Sequence, residues 1–521
     1  MHFSTLDYVV FISYIIFIVG LGLYVSREKK GHKKNSSDYF LASKALPWWA
    51  IGFSLIAANI SAEQYIGMSG SGYVIGLGIA TYEWTAAITL IVVAKYFLPI
   101  FLKEGIYTMP QLLEIRYDSR VRTGLAVFWI LLYVFVNLTS VLYLGSLALR
   151  TILGVPLIWG IAGLALFSAL YTIYGGLKAV VWTDVVQVLI LIVGGLVTTY
   201  FALDQVSGGN GAFAGFSDLM AKVPEKFDMI LDKSNPNYAE LPGLGVLLGG
   251  MWMAHFFYWG CNQYIIQRAL AAKSIKEAQR GLMFGGYLKI LTPLIVVVPG
   301  IVAFALSADL AKPDEAYPWL LSTFVPTGLK GLAFAALIAA IVSSLSSMVN
   351  STATIFSMDI YKQIINKDAS EERLVFIGRV TSAVALLVAV AIAPSLSSLE
   401  QAFQFIQEFT GFISPGIFAI FIFGLFWKKA TANSAVWAAV LTIPLSLAIK
   451  FFIPALPFLN RMGVVFLILS AIVVVITLIE KKGVSAKAIK IDKDLFHTDT
   501  IFNVGAIGIF AILAVLYTIW W

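Results

Sequence analysis

The strongest constraint on this chain is a succession of apolar runs, each long enough to cross a lipid bilayer as a helix. About 20 apolar residues are needed to cross roughly 30 Å of hydrocarbon. The sequence predicts an all-α integral membrane protein with 14 transmembrane helices. The fourteen runs occupy residues 6–25, 47–72, 75–102, 122–153, 156–176, 179–204, 243–267, 281–308, 329–357, 376–395, 400–427, 433–453, 463–479 and 501–521.

Composition supports a membrane protein and excludes several other classes. Hydrophobic residues make up 59% of the chain and charged residues 12%, about half the charge of an ordinary globular protein. The single Cys261 cannot form an intramolecular disulfide. The few His residues are scattered, and no phosphate-binding loop of the Walker type is present. We therefore expect no enzymatic activity, no ATP-driven pumping and no organic cofactor.

The distribution of Lys and Arg predicts the orientation. Most basic residues fall in alternate loops, which the positive-inside rule places in the cytoplasm. Both termini are then outside, and the first run is not a signal peptide because its basic residues follow it. Charge spread over many loops does not form a nucleic-acid-binding face, so we expect an inner-membrane protein without a nucleic-acid partner. The two most basic stretches contain Arg27, Lys29, Lys30, Lys33, Lys34 and Lys44, and Lys481, Lys482, Lys487, Lys490 and Lys493.

Two segments have polar and small residues in the middle of an apolar run. The second contains residues 54–64 followed by several glycines, and the seventh contains residues 249–263. They lie five segments apart, and an odd spacing gives two copies opposite orientations. Broken helices at matching positions of two inverted halves indicate a substrate site near the midplane. Ordinary small-residue contacts between helices are the alternative for either segment alone.

The ninth segment carries a dense run of hydroxyl groups. Eight of the twelve residues from 343 to 354 are polar, and Ser343, Ser347, Asn350 and Thr354 fall along one helix face. Hard monovalent cations prefer such oxygen ligands beside the carbonyls of an unwound helix. A hydroxyl that only bonds its own helix four residues back is the structural alternative.

Other polar residues within segments suggest a site for a sugar. Glu83 and Gln407 are flanked by aromatic residues, and sugars are held by polar edges and stacked rings. For Lys289, the structural alternative is an ion pair with one or more of the membrane carboxylates. The alternative for many of the aromatic residues is an interfacial belt.

The stretch YGGLKAVVWTDVVQ at residues 174–187 resembles the diagnostic motif of the sodium:solute symporter family. Residues 57–72, 262–268 and 340–360 resemble the same family, and the similarity is close to the bacterial sodium/galactose cotransporters of its sodium/glucose branch. It implies a leucine-transporter-type core of ten helices in two inverted five-helix repeats, each with a discontinuous first helix. The implied division is 1–46 (extra helix and cytoplasmic loop), 47–204 (first repeat), 205–242 (outer loop), 243–427 (second repeat) and 428–521 (three peripheral helices).

The resemblance also implies roles for individual residues. Sodium ligands would be the carbonyls of Ala57, Ile60 and Ala340 and the hydroxyls of Ser343 and Ser344. Sugar ligands would be Asn59, Gln64, Glu83, His255, Lys289 and Gln407. The gate would consist of Tyr258, Met68, Tyr82 and Phe403, while Glu63, Asp184 and Asn262 would support the gate or the sodium exit path.

Three positions depart from the galactose pattern and leave the preferred hexose open. Ala86 replaces Ser, His255 replaces Asn and Phe257 replaces Tyr. The expected function is sodium-coupled uptake of a neutral hexose, galactose or glucose, by alternating access. The alternatives are another solute on the same fold (myo-inositol, sialic acid or an amino acid) and, more weakly, a passive uniporter or channel. The expected partners are sodium, the sugar and the lipid bilayer, and a homodimer is compatible with them.

Overall fold

A computed structural model of the protein describes residues 4–27, 34–398 and 402–521. Lys29, Lys30 and Lys33 of the first basic stretch lie outside the described residues. Within the described ranges, eleven helices are long and apolar enough to cross a membrane. They are Thr5–Val25, Leu77–Lys103, Ser119–Leu153, Leu157–Gly175, Leu177–Val206, Ile275–Ala305, Leu329–Ile365, Glu371–Ser397, Ala432–Phe452, Phe458–Glu480 and Thr500–Ile519.

The second and seventh apolar segments are interrupted helices, as their composition predicts. We call residues 48–74 the first broken helix and residues 244–270 the second broken helix. Each contains a π-helical turn next to its break, and such turns are frequent at functional sites. The pieces of the first are Trp48–Asn59, Glu63–Met68 and Ser69–Val74, and those of the second are Leu244–Leu248, Met251–His255, Phe256–Cys261 and Gln263–Leu270.

The eleventh apolar segment is also interrupted. It consists of two helices, Ala402–Gly411 and Ser414–Phe426. Pro415 lies at the start of the second helix and has no amide hydrogen to donate to the preceding turn. Ser414 instead donates its hydroxyl to the carbonyl of Thr410 at 2.7 Å. The sequence predicts a single apolar segment at 400–427, and the structure shows that this segment contains two helices.

The helix Leu329–Ile365 lies at the centre of the bundle, and we call it the central helix. In its most apolar stretch, 94% of the residues are buried. The central helix packs against the helix Leu177–Val206 and against the first broken helix. Part of its hydroxyl run is structural, because Thr352 and Thr354 donate to carbonyls of their own helix at 2.8 and 2.7 Å. Ser343 and Ser344 instead bond to other helices.

The start of the first broken helix and the end of the second are joined by backbone hydrogen bonds. The Leu46 amide donates to the Ala271 carbonyl at 3.0 Å, and the Lys273 amide donates to the Leu46 carbonyl at 3.2 Å. The chain thus enters the first broken helix beside the point at which it leaves the second. The two helices therefore run in opposite directions from a shared end.

Arg122, which lies at the edge of a basic loop in the sequence, is buried in the structure. Arg122 is 5% exposed and donates to Asp359 at 2.7 Å and to Glu114. Thr108 also donates to Asp359, at 2.9 Å. These contacts tie the short helix Met109–Arg116 to the end of the central helix. The charge of Arg122 therefore holds two segments together and does not face water.

A close approach of two helices depends on a glycine. A Cβ atom on Gly300 would lie 2.0 Å from the carbonyl oxygen of Ser69, so the helix Ile275–Ala305 touches the first broken helix through backbone atoms. Small residues permit such contacts between membrane helices.

The variant Gly300→Leu tests this contact. We expect a destabilisation of at least about 3 kcal/mol, because the new side chain forces the two helices apart. The measurements are the yield of monodisperse protein and its thermal unfolding in detergent. Gly163→Leu is the matched control, since a Cβ there meets nothing within 4 Å. Equal stability of the two variants would contradict the close packing at Gly300.

Candidate functional site

The first broken helix stops at Ile60, whose backbone is extended with ψ of 98°. The next residue, Ser61, begins a new helical segment with a capping box. The Ser61 amide donates to the side-chain oxygen of Gln64 at 2.9 Å, and the Ser61 hydroxyl accepts from the Glu63 amide at 3.0 Å. Because the Ser61 amide bonds forward, it does not donate back to the carbonyl of Ala57. The break therefore frees carbonyl oxygens in the middle of the bundle.

Two adjacent hydroxyls of the central helix meet this break. Ser344 donates to the carbonyl of Ala58 at 2.9 Å, and Ser343 donates to Asp184 at 2.6 Å. Both side chains are fully buried. Carbonyl and hydroxyl oxygens at a helix break provide the ligands that a sodium ion requires.

The remaining candidate sodium ligands lie in the same two helices. Ala57 and Ile60 flank Ala58 at the end of the helix Trp48–Asn59, and Ala340 lies one turn before Ser344 on the central helix. All three are buried. The structure thus brings the elements that carry the five predicted residues into contact.

Asp184 connects the hydroxyl groups to a buried arginine. Its carboxylate accepts from Ser54 at 2.5 Å and from Arg268 at 3.3 Å. Arg268 also donates to the Ser54 hydroxyl at 2.7 Å and to Ser347. Asp184 and Arg268 are 0% and 1% exposed, so each supplies the counter-charge that the other needs away from water.

Arg268 is a residue that sequence reasoning missed. It lies at the predicted end of the seventh segment, where an arginine is ordinarily a marker of the cytoplasmic side. Its partner Asp184 is 84 residues away in the chain. One signal in the sequence pointed to Arg268. Asp184 lies within an apolar run, and a carboxylate in the membrane needs a charged or polar partner.

An internal cavity lies beside the break in the first broken helix. Its lining includes all the predicted sugar and gate residues together with Glu63. Three further lining residues, Ala254, Trp259 and Thr410, were not predicted. The predicted residues on the wall are Asn59, Gln64, Glu83, His255, Lys289, Gln407, Tyr258, Met68, Tyr82 and Phe403.

Charged and amide groups form one network on the cavity wall. Lys289 donates to Glu83 and, at 2.5 Å, to the side-chain oxygen of Asn59. Asn59 in turn donates to the hydroxyl of Tyr258 at 3.0 Å. The Lys289 ammonium also lies 5.2 Å from the ring centroid of Trp259, within range of a cation–π interaction. Lys289 therefore forms an ion pair with Glu83, and both residues of the pair line the cavity.

Aromatic residues close the cavity on two sides. The rings of Tyr82 and Phe403 meet edge to face with centroids 5.4 Å apart, and both residues are buried. Near Asn59, the hydroxyl of Tyr264 donates to that of Tyr258 at 2.6 Å. Tyr264 was not predicted, because its role depends on this tertiary contact.

Two of the three predicted support or exit-path residues, Asp184 and Asn262, lie outside the cavity wall. Asp184 belongs to the buried network described above. Asn262 is the residue at which the second broken helix is interrupted, with ψ of 125°, and its side-chain oxygen accepts from Tyr133. Ala86 and Phe257 are fully buried but do not line the cavity.

His255 lies on the cavity wall in a fixed orientation. Its Nε2 is 2.7 Å from the hydroxyl of Thr85, and that hydroxyl donates its proton to the carbonyl of Thr81 at 2.6 Å. A hydroxyl has one proton to give, so Nε2 of His255 carries the donor hydrogen. In the neutral ring, Nδ1 is then the acceptor.

Comparisons with known proteins agree with this geometry. Residues 39–442 match the sodium:solute symporter family. This chain belongs to that family. It is therefore a sodium-coupled solute symporter and a multi-pass membrane protein, and sodium is the coupling ion.

Individual relatives cover most of the chain. A sodium/glucose cotransporter of Vibrio parahaemolyticus is 54% identical over 99% of this chain and 98% of its own length. A sodium/myo-inositol cotransporter 2 of Oryctolagus cuniculus is 34% identical over 84% of this chain and 68% of its own length. The fold is shared with a solved sodium-coupled sialic acid symporter, with a TM-score of 0.80 and 24% identity, covering 92% of this chain and 98% of the other.

The variant Ser344→Ala tests the cation site at the break. We expect the sodium concentration for half-maximal transport to rise about tenfold, the effect of losing one hydrogen-bonding ligand worth about 1.4 kcal/mol. The apparent affinity for solute at saturating sodium should change little. Thr352→Ala is the matched control, because Thr352 bonds only its own helix among the described residues. Unchanged sodium activation in Ser344→Ala would remove this residue from the site.

Proposed function

We propose that this symporter couples inward sodium flow to uptake of a neutral hexose, glucose or galactose, by alternating access. The proposal rests on the observation that the first broken helix contributes both to the cavity wall and to the candidate cation site at its break. Asn59 and Gln64 line the cavity and flank the break whose Ala58 carbonyl accepts from Ser344. A cation bound at the break and a solute in the cavity therefore bias the same helix, which is the physical content of coupling.

The sodium site consists of the carbonyls of Ala57, Ile60 and Ala340 and the hydroxyls of Ser343 and Ser344. Glu63 supports this assignment. It is buried, lines the cavity, and has a carboxylate oxygen without a hydrogen-bond partner among the described residues. A buried carboxylate needs a compensating charge, and a sodium ion at the adjacent break supplies one.

A neutral solute fits the charges of the cavity. Lys289 is paired with Glu83, so the pair offers hydrogen bonds with little net charge. Amide groups of Asn59, Gln64 and Gln407 offer donors and acceptors to hydroxyls. The ring of Tyr258 provides an apolar face for stacking on a sugar.

The proposal includes the arrangement of the helices in the membrane. The eleven uninterrupted helices and the three interrupted ones make fourteen crossings, with both termini outside. The opposite directions of the two broken helices, which meet at Leu46 and Ala271, support two inverted five-helix repeats. We place the repeats at residues 47–204 and 243–427, with an outer loop at 205–242, peripheral helices at 1–46 and 428–521, and a homodimer as a compatible assembly.

The sodium gradient is sufficient to drive accumulation. One charge crossing a potential of 100 mV supplies about 2.3 kcal/mol, and a tenfold sodium gradient supplies about 1.4 kcal/mol more. With one sodium per sugar, these sum to about 3.7 kcal/mol. This would support an accumulation of several hundred-fold.

Uptake by proteoliposomes tests the function. The purified protein is reconstituted with an inward sodium gradient, and a panel of labelled solutes is supplied outside. We expect glucose or galactose to accumulate above its external concentration, and replacing sodium by potassium to abolish the accumulation. Equilibration without accumulation would indicate a passive uniporter or channel. Preference for myo-inositol, sialic acid or an amino acid would overturn the hexose assignment while leaving sodium coupling intact.

Substitutions on the cavity wall test the two kinds of sugar contact. Gln407→Ala should weaken apparent hexose affinity about tenfold, because it removes hydrogen bonds to hydroxyls. Tyr258→Ala should impair transport more than Tyr258→Phe, because Phe keeps the ring and loses only the bonds to Asn59 and Tyr264. Wild-type affinity in Gln407→Ala, or full transport in Tyr258→Ala, would contradict the respective role.

A further inference from the structure

An apolar groove, distinct from the solute cavity, lies on the outside of the bundle. It has a volume of about 240 Å³ and is formed by the helices Ser119–Leu153, Ser414–Phe426 and Ala432–Phe452. Its walls are almost entirely apolar. They include Gly124, Leu125, Phe128, Ile417, Val436 and Val440.

A second cavity, which we call the basic cavity, has a volume of about 350 Å³. Its walls carry three positively charged side chains, Arg116, Lys429 and Lys482, beside the hydroxyl-bearing residues Thr431 and Ser485. Lys429 and Lys482 are exposed. An anion is therefore able to reach the basic cavity from the water-facing side.

The two cavities are adjacent along two helices. Tyr117 lines the basic cavity, and Val121, one turn further along the chain, lines the groove. At the start of the helix Ala432–Phe452, Thr431 lines the basic cavity and Val436 lines the groove. At the junction, Arg120 donates to the side-chain oxygen of Asn433 at 2.9 Å. The apolar groove and the basic cavity therefore lie next to each other along both helices.

Arg116 is buried, unlike the two lysines of the basic cavity. It is 2% exposed, and its guanidinium donates to the carbonyls of Gly424 at 2.7 Å, Trp427 at 2.9 Å and Ala430 at 3.0 Å. Its Nη1 is buried without a hydrogen-bond partner, and no carboxylate pairs with it among the described residues. Burial lowers the pKa of this guanidinium. A buried charge that meets only neutral groups favours an anionic ligand.

The acidic residues nearby do not neutralise the site. Glu480 lies 3.2 Å from Lys482, and Asp118 lies 2.7 Å from Arg120. These pairs leave Arg116 and Lys429 without a carboxylate in the part of the chain that the structure describes. The site therefore retains positive charge.

We propose that the groove and the basic cavity together bind one anionic phospholipid, with its phosphate at Arg116, Lys429 and Lys482 and an acyl chain along Gly124. Basic pockets between membrane helices on the cytoplasmic side favour anionic headgroups. In the orientation proposed above, this side faces the cytoplasm. The lipid site is separate from the solute cavity and does not depend on which solute is transported.

Native mass spectrometry of the full-length protein in detergent tests the proposal. The protein is titrated with phosphatidylglycerol or with phosphatidylcholine of the same acyl chains. We expect preferential retention of one phosphatidylglycerol. The double variant Lys429→Gln/Lys482→Gln should lower its affinity roughly 30-fold, from about fivefold for each basic residue near a lipid headgroup. The charge-matched control Lys276→Gln/Lys490→Gln, whose lysines are exposed and outside both cavities, should bind as the wild type does.

A steric variant distinguishes a lipid from a free anion. A Cβ on Gly124 meets nothing within 4 Å, so Gly124→Leu fills the groove without displacing the helices. It should reduce phosphatidylglycerol retention, whereas Gly163→Leu, also in open space, should not. Size-exclusion profiles confirm that each variant is folded.

Three outcomes would overturn the proposal. One is equal retention of the two lipids by the wild type. Another is wild-type retention of phosphatidylglycerol in the lysine double variant. The third is displacement of the lipid by inorganic phosphate together with normal binding in Gly124→Leu, which would show a site for a small cytoplasmic anion.

Discussion

A helix that stops within a membrane must find partners for its backbone groups, and the rest of this structure depends on how the first broken helix does so. Hydrocarbon offers no hydrogen bonds to freed amides and carbonyls. The capping box of Ser61 and Gln64 satisfies the amide side of the break. The Ser344 hydroxyl satisfies the Ala58 carbonyl on the other side. The break is therefore stable only against the central helix, and this requirement places the candidate cation site and the solute cavity next to each other.

The same requirement explains the buried charges around the break. Asp184 receives hydrogen bonds from Ser343, Ser54 and Arg268, so the polar face of the central helix ends in a compensated ion pair. Removing one partner of such a pair leaves an unpaired charge, at a cost of about 3–5 kcal/mol. A conformational change that separates these helices must therefore provide water or a cation to the groups it exposes.

Much of this arrangement is readable from the sequence because its signals are local. Polar and small residues mark both broken helices, and the hydroxyl run marks the face of the central helix that meets one of them. The interruption before Pro415 was not predicted, because the polar residues of that run, Gln404, Gln407 and Glu408, were interpreted as polar groups within a membrane segment and not as signs of a break. Arg268 and Tyr264 were missed for a different reason: their partners, Asp184 and Tyr258, are identified only by the folded structure. Gln64 was predicted as a solute ligand, yet its side-chain oxygen already belongs to the capping box, which leaves only its amide hydrogens for a solute.

Under the proposed hexose function, one residue of the cavity wall bears on which hexose is preferred. Ala86 and Phe257 do not line the cavity, so of the three departures from the galactose pattern only His255 is on its wall. The Thr85 hydroxyl donates to the Thr81 carbonyl and therefore accepts from Nε2 of His255, which leaves Nδ1 as an acceptor only. An asparagine at this position would offer an amide donor as well. A solute hydroxyl that meets His255 must consequently donate its proton to the ring, and a sugar epimer whose hydroxyl is oriented to accept there loses that bond. If the solute is a hexose, as we propose, discrimination between hexoses is expected to depend on the direction of one hydrogen bond at His255.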